Sequence, residues 1–245
     1  MHVAAQPHFN LSPNEARRSL LTCLNGPAPQ AIGDKLAAPL AKAGGRAAWY
    51  CDLAIVLGAC GLKGWQKQRV FELGCGDAEF LSVIHSEGAE GVGVEKATAP
   101  ATAFEPTLTI HRGALAQFET DALADVFVSR NTLKRGFVRP VDGASPRFSL
   151  GSSVLEALTA IADKTREGGL FCIYNVSPTD AALAHEAHAD GHCPFTRQEL
   201  AAAGFDVLLH DADATSLTTA VARELATPAL ASGVRALVTV CVRRA

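Results

Sequence analysis

Two carboxylates and a pair of glycines are the residues best placed to do chemistry. Glu72 stands just before Gly74-Cys75-Gly76-Asp77, and Glu95 closes the next apolar run. Glycines in a tight turn leave the backbone open to a ligand, and a strand, a glycine turn and a helix in succession hold nucleotide-like groups in α/β proteins. Arg69 to Leu73 reads as the buried strand, and Phe80, Leu81 and Ile84 lie at helical spacing after the turn, with Gly88 as a stop. Asp77 is placed to cap that helix. Glu95 follows the glycines at roughly 20 residues, where a carboxylate accepts hydrogen bonds from vicinal ribose hydroxyls and discriminates against a 2′-phosphate. The plainer reading of Glu95 is a solvated acid at a strand end.

Further candidates cluster downstream. The run Ala124–Ser129 is followed by Arg130-Asn131-Thr132, and because the ends of central strands face the ligand crevice in open α/β sheets, the stretch from Ser129 to Thr132 should face the ligand. The connection 133–148 carries Lys134, Arg135, Arg139 and Arg147 against one acid, Asp142. It suits a carboxylate or phosphate on a substrate, or is simply a solvated basic loop. His185, His188, His192 and Cys193 form a histidine-bearing segment, but no second cluster has zinc spacing, so no metal is expected. His185, His188 or His192 could act as a base near an acceptor, and structural histidines are the alternative. Trp49 and Tyr50 could line a substrate pocket or anchor a helix to the core.

Positioning these groups requires an alternating α/β chain. Further strands are expected at 91–95, 108–111, 170–176, 205–209 and 235–242, with helices between them at about 152–166 and 196–203. Ser177-Pro178-Thr179-Asp180 looks like another helix start, and Thr196 with Glu199 forms a capping box. Ahead of the first strand, helices are expected from Ser12 to Leu24, from about Ala31 to Gly44-Gly45, and from Arg46 to Leu57. Residues 1–66 therefore read as a helical N-terminal cap that is not independent, and 67–245 as the main domain.

Bulk composition fits this. Of 245 residues, 48% are hydrophobic, enough for a sizeable core, and the net charge of -3 gives no whole-molecule field for nucleic acid. The seven scattered cysteines lack a Cys-x-x-Cys pair, so reduced thiols and a cytoplasmic protein are expected. No apolar run is long enough to span a bilayer.

The glycine turn decides between cofactors. A dinucleotide-binding turn wants a third glycine or alanine where Glu79 stands, so a nicotinamide-dependent oxidoreductase is the weaker alternative. With Glu72 before Gly74 and Ala78 after Gly76, the stretch instead resembles the first motif of class I S-adenosylmethionine-dependent methyltransferases, acid-x-Gly-x-Gly-x-Gly, with Ala78 replacing the third glycine. The resemblance covers about residues 67–242. It implies a Rossmann-like, doubly wound, mostly parallel seven-stranded sheet with an antiparallel C-terminal strand. It also implies S-adenosyl-L-methionine as cofactor, held by Glu72, Gly74, Cys75, Gly76, Asp77, Glu95 and Ser129, with Glu95 on the ribose. The acid that such enzymes often carry after the third strand is absent, with Ala114 in its place. The expected activity is methyl transfer to a small-molecule acceptor, possible contacts being Tyr50, Asn131, Lys134 and Arg135. Candidates for catalysis are Asn131, His185 and His192. A non-catalytic cofactor-binding or regulatory protein is the other alternative. No Asn/Asp-Pro-Pro-Tyr/Phe motif is present, which argues against exocyclic DNA amines as substrate. The sequence leaves the oligomeric state open.

Overall fold

Apolar runs alternating with helices build one seven-stranded sheet in the computed structural model, which describes residues 11–25, 35–43, 46–95, 107–135, 153–179 and 191–245. Its strands are β1 (Arg69–Leu73), β2 (Glu90–Glu95), β3 (Thr109–Arg112), β4 (Ala124–Arg130), β5 (Thr165–Pro178), β6 (Phe205–Asp213) and β7 (Val234–Arg243). They lie in the order β3-β2-β1-β4-β5-β7-β6. Pairs from β3 through β5 are parallel, whereas β7 runs antiparallel to both β5 and β6. This is the doubly wound sheet with an antiparallel last strand expected above. Its order reverses between β1 and β4, where such sheets open a crevice at their carboxyl ends.

Helices cover both faces, so the central strands read as nearly continuous apolar runs. On one face α1 (Pro13–Asn25), α2 (Ala47–Ala59), α3 (Glu79–Ser86) and α6 (Thr215–Glu224) share a core with Val70, Val126, Val128, Cys172, Val238 and Val240. On the other, α4 (Val154–Lys164) and α5 (Arg197–Ala202) pack with Phe71, Phe127, Phe171 and Phe205. The pleat explains the division, since Val70 and Phe71 are adjacent in β1 and point to opposite faces. Side chains start the helices as read, with Ser12–Glu15, Ser153–Glu156 and Thr196–Glu199 each exchanging hydrogen bonds. Cys51, Cys60, Cys75, Cys172, Cys193 and Cys241 are buried and Cys23 is half-buried, all as free thiols.

Several elements differ from expectation. Within the described part of 31–45 there are turns and a 3-10 segment, Leu40–Lys42, in place of an α-helix. Pro39 starts that segment, and a proline cannot donate the bond that a continuing helix needs. Strand β5 begins directly at Thr165 and runs on through Ser177-Pro178, and residues 180–190, where the helix expected after Ser177-Pro178-Thr179-Asp180 would run, lie outside the described residues. Strand β6 continues past Leu209 to Asp213 through two irregularities in its pairing with β7. Most of the connection 133–148, and His185 and His188, lie outside the described residues. No helix among the described residues is long and apolar enough to cross a membrane.

Helix α2 is apolar all round because it is wedged between the sheet and α1 and α6, with one exception. Asp52 is fully buried. Its Oδ2 accepts from the Thr218 hydroxyl at 2.8 Å, and Thr218 is 2.8 Å from the Tyr174 hydroxyl on β5. Burial pushes the Asp52 carboxyl up to about 7, against the hydrogen bonds that favour its charge. The folded chain therefore keeps a proton that the unfolded chain releases near pH 4, so this group's contribution to stability is lost as pH rises through about 7. Between about pH 5 and about pH 8 the protein should lose roughly 2–3 kcal/mol of stability that Asp52→Asn does not lose, as read by urea unfolding. Parallel pH profiles for the two proteins would contradict the assignment.

Candidate functional site

Strand β1 delivers the glycine turn to the carboxyl end of the sheet. Gly74 and Gly76 have φ of +75° and +57°. A Cβ on Gly74 would overlap the Thr132 hydroxyl, so glycine is needed for the turn to close against the end of β4. At Gly76 a Cβ would meet nothing within 4 Å, so the backbone there is open. The Gly76 N–H donates to Glu95 Oε2 at 2.7 Å, which pins the acid of β2 to the turn. Cys75 is buried with its Sγ against Gly93, and burial pushes its thiol up to about 12. Its contribution is therefore shape, not nucleophilicity.

The start of α3 corrects a local expectation. Ala78 caps it in the left-handed region, at φ +60°, so the helix begins at Glu79. A side chain there costs about 1–2 kcal/mol of backbone energy, which shows why a glycine would suit this position. Asp77 makes only a long contact, 3.4 Å, with the Glu79 N–H, and its carboxylate pairs with Arg46 at 2.7 Å.

Glu72 lies on the α2 side of β1, 1% exposed. Its Oε1 accepts from Arg130 Nε at 3.3 Å and Nη2 at 3.1 Å. The guanidinium stacks 4.3 Å over the Tyr50 ring centroid and 5.5 Å from that of Phe80. Burial raises the Glu72 carboxyl above its ordinary range, and Arg130 opposes the shift. Oε2 of Glu72 is buried without a hydrogen-bond partner, so it can still accept from an N–H donor. Tyr50 is fully buried and donates to Glu79 Oε2 at 3.0 Å, so it anchors α2 beside the turn.

Beyond β4 the expected residues serve the backbone. Ser129 Oγ accepts from the Leu133 N–H at 3.1 Å. Asn131 takes φ +55° and stitches β4 to β5, its N–H donating to the Tyr174 carbonyl and its Oδ1 accepting from the Val176 N–H at 2.7 Å. Lys134 is buried, which pulls its ammonium down to about 8, while Arg135 is exposed and donates its N–H to the His192 carbonyl at 2.9 Å. His192 sits between Asp211 and Arg235, at 2.9 and 3.2 Å. Two groups thus emerge, one around the glycine turn (Glu72, Gly74, Gly76, Glu95, Tyr50) and one at the end of β5 (Arg135, His192). Arg46, Asp211, Arg235 and the pairing of Arg130 with Glu72 go beyond what the residue pattern points to. Among the described residues no group of three or more His, Cys, Asp and Glu side chains could hold a metal ion.

No protein-family model matches the sequence, and no curated protein does. Solved structures match in fold. Phosphoethanolamine N-methyltransferase 2 of Haemonchus contortus is 13% identical, with a TM-score of 0.50 over 74% of this chain and 49% of that one. This chain spans about half of that enzyme, which was solved with phosphomonomethylethanolamine and S-adenosylhomocysteine, and also with S-adenosyl-L-methionine. The N-methyltransferase NodS of Bradyrhizobium japonicum WM9 is 12% identical, with a TM-score of 0.47 over 94% of this chain and 98% of that one. The chain has the class I S-adenosylmethionine-dependent methyltransferase fold.

The ion pair can be tested directly. Arg130→Ala should destabilise the protein by about 3–5 kcal/mol in urea unfolding, because Glu72 is left buried and uncompensated. Glu72→Gln combined with Arg130→Met should recover a large part of the loss. A loss under about 1 kcal/mol for Arg130→Ala would mean that the pair is effectively solvated.

Proposed function

We propose that this chain transfers the methyl group of S-adenosylmethionine to a small-molecule acceptor. The carrying observation is Glu95, held by the Gly76 N–H at 2.7 Å beside a turn with open space over Gly76. The fold supports S-adenosylmethionine as the cofactor. The residues present suit it: a strand-end carboxylate for ribose hydroxyls, an open backbone for the adenosine, and the unpartnered Glu72 Oε2 for an amino group. When bound, the cofactor supplies a methyl group already activated by its sulfonium charge.

The chain's own task is then positioning. Holding an acceptor in line and excluding water can lower a barrier by as much as roughly 7–11 kcal/mol. A base is needed only for an acceptor protonated at neutral pH, and His192, held by Asp211 at the same edge of the sheet, is the candidate among the described residues. Lys134 and Arg135 follow β4 and suit an anionic acceptor. Helices α1 and α2 act as a cap, both sharing the core of the sheet. A second reading, a cofactor-binding protein without turnover, draws on Ala114, which offers no acid for the adenine amino group.

Calorimetry with S-adenosylhomocysteine tests the assignment. Glu95→Ala should weaken binding about 10–100-fold with the fold intact, the worth of a charge-assisted hydrogen bond or two. Gly76→Ala should stay folded but bind poorly, because its methyl group occupies the open face of the turn. Unchanged affinity in Glu95→Ala refutes the ribose role, and nicotinamide cofactor binding in place of S-adenosylhomocysteine refutes the whole reading. Binding without turnover across a panel of small acceptors selects the second reading.

A further inference from the structure

One guanidinium at the carboxyl edge of the sheet lacks a carboxylate. Arg235, at the start of β7, lies opposite Ser177 of β5 and is half-buried. Its Nη2 donates to His192 Nε2 at 3.2 Å, and its Nε is buried with no hydrogen-bond partner. Among the described residues, no Asp or Glu oxygen forms an ion pair with it. A half-buried cation without a counter-charge is expensive to keep.

The surroundings are built to leave it so. Arginine only donates, so Nε2 of His192 accepts and the imidazole proton lies on Nδ1, facing Asp211 Oδ2 at 2.9 Å. Asp211 is therefore turned to the far side of the ring. Its Oδ1 accepts from the Cys193 N–H at 2.8 Å, and its own N–H donates to the Thr239 hydroxyl at 3.0 Å. It is aimed by the irregular stretch of β6, where its φ is +50°, a conformation that few non-glycine residues adopt.

We infer that Arg235, held in place by His192, forms an anion-binding corner that takes a carboxylate or phosphate group of the methyl acceptor. The guanidinium fork matches either group. Ser177, beside Arg235, is three residues beyond Tyr174, the partner of Arg130 in the β4–β5 register. At about 3.3 Å per residue the corner lies roughly 10 Å further along the strand than Arg130. The identity of the anion as part of the acceptor rests on the methyl-transfer reading; the corner itself does not.

Titration of the wild-type chain with inorganic phosphate, and separately with acetate, is the test, following the His192 imidazole resonances by NMR. Saturable shifts are expected, with affinity about tenfold or more lower in Arg235→Gln and intermediate in Arg235→Lys. The tighter-binding probe tells which group the corner prefers. Resonances that do not move, or equal affinity in wild type and Arg235→Gln, overturn the corner. Should Arg235→Gln not fold by circular dichroism, Arg235→Lys carries the comparison, and phosphate affinity undiminished there overturns it equally. S-adenosylhomocysteine binding is measured in parallel. Phosphate bound at His192 without S-adenosylhomocysteine binding leaves the corner standing and removes methyl transfer, and the reverse result removes only the corner.

Discussion

A carboxylate on a strand covered on both faces must be answered by a positive charge, and Arg130 answers Glu72. The register places Val128 beside Glu72, so Arg130, two residues on, points to the same face and reaches back to it. The guanidinium then needs a surface, which Tyr50 of α2 and Phe80 of α3 provide. One ion pair therefore ties two central strands to a helix of the cap and to the helix that follows the glycine turn. Tyr174, beside Arg130 in the next strand, extends the polar seam through Thr218 to Asp52. Helix α2 is held to the sheet by buried polar groups as well as by apolar area, so it sits in fixed relation to the turn.

At the turn itself, the two glycines do different work. Gly74 is filled space, where the end of β4 presses on the backbone, and Gly76 is open space. Close packing on one side of the turn and vacancy on the other are what a rigid platform for a ligand requires. Glu95 joins the two, since its carboxylate is aligned by a backbone donor. A carboxylate oriented by the backbone has already given up part of its conformational freedom.

Much of this was legible in the chain. The apolar runs of β1, β4 and β5 announce buried strands, and the spacing from Gly76 to Glu95 announces a carboxylate at the next strand end. The antiparallel β7 was legible only through the methyltransferase resemblance, because apolar alternation carries no direction. What was missed depends on adjacency in space. Arg130 reads as an ordinary basic residue until β4 is known to lie beside β1. Asp211 falls in a stretch, 211–228, whose residues read as helical or irregular, because the broken ladder near Leu209 interrupts the alternation that marks a strand. Arg235 gains meaning only from lacking a carboxylate, and no pattern of residue types can report an unmade contact. The left-handed conformation of Ala78 is not legible in the chain, since an alanine in that region has no sequence signature.

The buried thiols give this molecule an internal reporter. Cys51 lies in α2, Cys75 in the glycine turn, Cys172 in β5 and Cys241 in β7, so they sample the cap, the turn and the middle of the sheet. Burial raises each of them, which suppresses the thiolate that alkylating reagents and oxidants attack. Modification of any one must wait for its own layer to open. The order in which these sulfurs become reactive therefore reads out, without any added label, the order in which the layers of the fold come apart.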